Sequence, residues 1–186
     1  MTTQSRRSVV AVLSEEHLKL QALSSELTTA SSTSDHIEVL TAWVSRHLSA
    51  EQRYLYPVVR ELLPEGERLI QQELDQDQVI LRRLAALRSS PPQSVPHIVD
   101  ELVTDLRRHA YAAARDILPR LEELTHDEDL ISLGDLVAGA AASAPTRPHP
   151  HTPDRPPWNR MIDPLVGAVD RMRDRVSNRK TSLSDL

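Results

Sequence analysis

The chain has 186 residues, a formal net charge of −5, four Gly, no Phe and no Cys. Without Cys, disulfides, thiolate zinc sites, iron–sulfur clusters and Cys nucleophiles are excluded, so any metal must be held by His, carboxylate, Tyr or water. The acidic balance argues against nucleic-acid binding, and no apolar run is long enough for a bilayer span or a secretory leader, so a cytoplasmic setting without membrane contact is expected.

Low Gly and abundant Leu, Ala, Glu and Arg favour helices, and apolar spacing with clear punctuation predicts four long ones. The first runs from about Ser5 to Leu27, with Leu13, His17, Leu20 and Leu27 on one face. A Ser/Thr-rich stretch separates it from the second, about His36 to Leu63, which carries Val44, His47, Glu51, Leu55 and Val58. Pro64 and Gly66 break the chain there. The third, about Glu67 to Arg88, aligns Ile70, Leu74, Asp77, Leu81 and Leu84. After the prolines at 91, 92 and 96, the fourth runs to Leu124 and aligns Leu102, Leu106, His109, Ala113 and Ile117. Short connections between amphipathic helices favour antiparallel neighbours, so the expected fold is an all-α, up-down-up-down four-helix bundle over residues 1–126. A short accessory helix is expected over 127–143 and a Pro/His-rich linker over 144–160. An amphipathic, Arg-rich C-terminal helix and tail are expected over 161–186. That helix offers a surface for a protein partner, or docks back on the bundle.

An internal repeat carries most of the chemistry. The segment Arg46-His47-Leu48-Ser49-Ala50-Glu51-Gln52-Arg53-Tyr54-Leu55-Tyr56-Pro57 returns as Arg108-His109-Ala110-Tyr111-Ala112-Ala113-Ala114-Arg115-Asp116-Ile117-Leu118-Pro119. The Arg-His start, the later Arg, the apolar residues and the Pro fall in register. One helical turn separates i from i+4, so His47 and Glu51 point the same way and can grip one ion together. The second copy keeps His109 but has Ala113 in place of the carboxylate. His17 and Asp77 precede the two copies at nearly equal distances, each on an apolar face. The predicted metal cluster is therefore His17, His47, Glu51, Asp77 and His109.

Each residue also has a plainer reading. A single inward His is more often a satisfied core residue than a ligand, and Asp77 is as naturally the partner of a His or Arg across the bundle. Tyr54, Tyr56 and Trp43 read most simply as packing, with Tyr54 as the alternative donor to Glu51. No Gly-rich phosphate loop and no Ser/His/Asp arrangement is present, so phosphoryl transfer and hydrolysis have no support.

Over residues 9 to 124 the pattern resembles the hemerythrin-like, or HHE cation-binding, family. That family has a His on the first helix, H-x-x-x-E followed by an aromatic-Pro on the second, a His on the third and H-x-x-x-E on the fourth. His17, His47, Glu51 and His109 match family ligand positions. Asp77 stands where the family has its third-helix His, and Ala113 where it has the second bridging Glu. The Pro-rich linker and Arg-rich final helix are similar in composition and order to those of some actinobacterial members. The resemblance implies non-haem iron in the bundle core and a role with dioxygen, nitric oxide, peroxide or the metal itself, in sensing or storage rather than fast turnover. With two family ligands replaced, the set suits a single divalent ion better than a di-iron pair. The alternative is a metal-free bundle kept as an interaction or regulatory module.

Overall fold

The computed structural model describes residues 6–29 and 34–143. The expected linker over 144–160 and the C-terminal helix over 161–186 lie outside the described residues. Within these bounds the chain is all-helical, with α1 (Val9–Thr29), α2 (Ser34–Ala50), α3 (Tyr56–Leu62), α4 (Gly66–Ser89), α5 (Val95–Ala112), α6 (Leu118–Leu124) and α7 (Asp127–Ser143). A π turn, Glu51–Leu55, joins α2 to α3, and a second, Ala113–Ile117, joins α5 to α6. Each pair is thus one continuous rod, and α1, α2–α3, α4 and α5–α6 form the four-helix bundle.

Both π turns have a local cause. Pro57 and Pro119 lie just downstream, and a proline ring within a helix collides with the carbonyl four residues back while offering no N–H to it. Widening the turn moves that carbonyl aside. The N–H of Tyr56 then bonds to the carbonyl of Glu51, and that of Leu118 to Ala113, each five residues back. Turns of this kind are rare and favour functional sites, because they re-aim side chains along one helix.

The α3–α4 connection is tight. Glu65 sits in the left-handed region at φ 61°, a strain of about 1 kcal/mol for a non-Gly residue. The neighbouring Gly66 serves another purpose, since a Cβ there would lie 2.2 Å from the carbonyl oxygen of Val59. Gly134 plays the same part in α7, where a Cβ would fall 2.2 Å from the carbonyl of Arg7. That close approach, with the Arg6–Asp135 ion pair at 3.0 Å, pins α7 against the start of α1. Helix α7 buries Leu130, Leu133 and Val137 in the same apolar cluster as Val9, Val12 and Leu13, so it is a fifth wall of the core.

The apolar core is split in two. One cluster gathers Leu13, Leu55, Val59, Ile70, Ile117 and Leu121 with the α7 residues. The other gathers Leu20, Val44, Leu48, Ile80, Leu84, Leu102 and Leu106. Along each rod the polar residues fall at the boundary: His17 between Leu13 and Leu20, Glu51 between Leu48 and Leu55, Asp77 between Ile70 and Ile80, and His109 between Leu106 and Ile117. The bundle therefore encloses one polar slab between two apolar ones. A polar layer in such surroundings is stable only when its members satisfy one another or hold an ion. No helix among the described residues is long and apolar enough to cross a membrane.

Candidate metal centre

Each rod delivers its part of the slab by simple periodicity. His17 comes from α1, His47 from the last turn of α2, Glu51 from the first π turn, and His109 from the last turn of α5. All four are buried, between 1% and 5% exposed. One ligand atom from each lies within 4.8 Å of the others. The Nε2 atoms of His47 and His109 are 3.3 Å apart. Glu51 Oε1 lies 3.5 Å from Nε2 of His17 and 3.5 Å from Nε2 of His47, and its Oε2 lies 3.1 Å from Nε2 of His109. Those separations decide how the cluster fits an ion. Four ligands at ~2.0–2.1 Å around a tetrahedral centre stand roughly 3.3 Å from one another. These four contacts bracket that value, and the remaining separations stay within 4.8 Å.

The imidazoles are held from behind. His47 Nδ1 is 2.8 Å from Glu16 Oε2, which orients the ring and leaves Nε2 to face the cluster. His109 Nδ1 lies 3.3 Å from Glu73 Oε2 and 3.7 Å from Asp77 Oδ1. Asp77 is thus placed behind His109, apart from the four convergent atoms, and its Oδ2 accepts hydrogen bonds from Tyr56 (3.0 Å) and Gln52 (2.8 Å). The Tyr56 hydroxyl also reaches Glu51 Oε2 at 3.4 Å. Ala113, the position matching Glu51, is buried and offers no ligand atom.

The electrostatics divide the histidines. Burial is the main reason that the His17 pKa falls to about 4, with Glu51 pulling the other way, so this ring is neutral at physiological pH. Its Nε2 is buried and has no hydrogen-bond partner, as a nitrogen waiting for a cation would be. Burial also opposes a charge on His109, but the Glu51 carboxylate, Glu73 and Asp77 outweigh it and hold that imidazole well above its usual pKa. For Glu51 the same balance runs in reverse: burial disfavours its charge, yet His47 and His109 keep it well below the carboxylate range. Asp77 is pushed up to about 7, chiefly by burial, against the pull of His109. Tyr56 is raised well above its ordinary value by burial and by Asp77 and Glu51, so it is a neutral donor.

Of the five residues expected from the sequence, the structure brings His17, His47, Glu51 and His109 to one point and sets Asp77 behind His109. The donor to Glu51 is Tyr56 rather than Tyr54. A regular helix would put position 54 or 55 beneath Glu51, but the π turn inserts a residue and carries position 56 onto that face. Glu16, Glu73 and Gln52 were missed. Glu16 adjoins His17, and Glu73 stands one turn before Asp77, so an acidic residue beside each inward position was the available signal.

The comparisons agree with this geometry. A family model described as hemerythrin HHE cation binding domain matches residues 8–121. The chain is 23% identical over 171 residues to an uncharacterized hemerythrin-like protein of Schizosaccharomyces pombe, an alignment covering 86% of this chain and 82% of the relative. No solved structure matches it.

Proposed function

The chain belongs to the hemerythrin HHE cation-binding family, and from that premise we propose that its buried cluster holds one divalent ion, iron in the first instance, on His17, His47, Glu51 and His109. The observation that carries this reading is the gathering of three imidazoles around the Glu51 carboxylate, whose oxygens lie 3.1–3.5 Å from their Nε2 atoms. Two-metal sites place their ions about 3.5–4 Å apart and need ligands for both. Here the second set is reduced: Ala113 supplies nothing, and Asp77 is already engaged by Tyr56 and Gln52.

In this reading Glu16 and Glu73 orient their imidazoles, and Asp77 backs His109 while anchoring the Tyr56 hydroxyl that steadies Glu51. A nitrogen-rich set with one carboxylate suits iron among the divalent metals and supplies a centre that binds small molecules and changes oxidation state. A buried site with few ligands fits sensing or handling of dioxygen, nitric oxide or peroxide, or of the metal itself, better than turnover of a large substrate.

The test is metal analysis of the full chain purified under low oxygen, with absorption spectra before and after air. One ion per chain is expected in the wild type and none in the His47→Ala, Glu51→Ala double variant. A folded wild-type chain that stays metal-free in excess ferrous ion would falsify the reading and leave a metal-free interaction module in its place.

A further inference from the structure

Because all four convergent side chains are buried, an ion can reach them only across the wall of the bundle. A groove of about 250 Å³ reaches His47, the one of the four that lines it; its lining also includes Glu15 and Lys19 of α1, Trp43 and Arg46 of α2, and Ala138 of α7. Glu16 also lines it, with 17% of its side chain exposed and its Oε2 on His47 Nδ1 at 2.8 Å. We propose that this groove is the passage by which a divalent cation enters and leaves the site, with Glu16 as its inner carboxylate and the Arg7–Glu15–Lys19 ion pairs as its cover. The proposal rests on the metal-binding reading above.

Charge gives the passage a direction. Three carboxylates, Glu16, Glu51 and Glu73, with Asp77 pushed up to about 7 beside them, surround the imidazoles, and among the described residues no Lys or Arg contacts them in the slab. Such a site attracts cations, and low-dielectric walls focus the field toward the opening. Glu16 is the carboxylate that joins the groove to a ligand ring, so it can take up an ion that is shedding water before His47 receives it. At the mouth the sign reverses. Glu15 is ion-paired with both Arg7 and Lys19, and Arg46 also lines the groove, so three positive charges stand along the way in.

The rim takes in α7, which lies beyond the residues that the family model matches. It is also fixed in place. Gly134 packs on the Arg7 carbonyl and Asp135 pairs with Arg6, so the segment bearing Arg7 is held by the same helix that presents Ala138 to the groove. The small side chain at 138 leaves the groove open.

Stopped-flow uptake of Co²⁺ by the chelator-stripped full chain tests this, read by the visible absorption of the coordinated ion. Release is timed by adding excess chelator to the loaded protein. Ala138→Trp should slow uptake and release alike, by about tenfold or more, with equilibrium affinity unchanged, since it fills the path and leaves the ligands alone. Lys19→Gln, an exposed change with no folding risk, should speed uptake by roughly two- to fivefold at low ionic strength, with the gain fading as salt screens the mouth. Normal affinity with unmoved rates in Lys19→Gln, or in a folded Ala138→Trp, overturns the passage alone. A wild-type chain that takes up no Co²⁺ overturns the site and the passage with it.

Discussion

The two long rods of the bundle carry the same backbone device with different cargo. In α2–α3 and in α5–α6 a His closes the regular helix, a π turn follows, and a Pro starts the last segment. At the first residue of the π turn one rod has Glu51 and the other Ala113, both buried. The widened turn thus persists where its carboxylate is gone, which separates what shapes the backbone from what binds. Proline and the two apolar clusters fix the turn; the ligand is a single side chain placed upon it. The second rod still contributes His109, but that imidazole now depends on Glu51 from the first rod at 3.1 Å.

Rebuilding the missing half is the strongest way to probe this asymmetry. Ala113→Glu with Asp77→His restores the two ligands that the repeat and the family pattern call for. The bound metal should rise from one ion per chain to two, counted by elemental analysis after loading with ferrous ion. Before loading, the variant should melt lower than the wild type, because a carboxylate added to a packed interior costs on the order of 1–3 kcal/mol without a partner. Metal content that stays at one ion would show that the rods are alike in register only, with no room between them for a second ion.

Much of this asymmetry was legible in the sequence, and what was not has a physical reason. Helical periodicity and the His47/His109 repeat located the four rods and the four convergent residues, because spacing along a helix fixes the face on which a side chain emerges. The exchange of Tyr54 for Tyr56 was beyond reach on that logic, since it assumes 3.6 residues per turn throughout. Pro57 and Pro119 were the visible clue that the period changes. Asp77 emerged on the correct face, but depth and reach are not set by spacing, and its short side chain ends behind His109. The helix over 127–143 was expected as an accessory, yet the burial of Leu130 and Val137 against α1 depends on Gly134, a closeness no periodicity encodes.

The two prolines allow a finer comparison. Pro57→Ala removes the steric reason for the π turn that carries Glu51 and aims Tyr56 at it, so the wide turn is free to relax or migrate. Metal affinity should fall by about tenfold, the usual effect of losing an orienting contact around a metal ligand. Pro119→Ala relaxes a turn that bears no ligand, and affinity should stay close to the wild type. Competition with a chromophoric chelator measures both. Equal losses in the two variants would mean that the turns act through overall bundle stability, with no special part for the one that holds Glu51.

The smallest effect concerns protons. In the metal-free chain His109 is held charged at neutral pH by Glu51, with Glu73 and Asp77 behind it, while His17, at about 4, is already neutral. A ligand nitrogen must be free of its proton, so loading a divalent ion at pH 7 should expel the proton of His109 and none from His17. Affinity should then climb by about tenfold per pH unit for as long as His109 remains protonated in the metal-free state, and level off above its pKa. Calorimetric titration in two buffers of different ionisation enthalpy counts the released protons directly. Zero release would mean that His109 is neutral before the ion arrives. The rod that lost its carboxylate would then not be leaning on Glu51 across the bundle, and His109 would present an unprotonated nitrogen from the start, as His17 does.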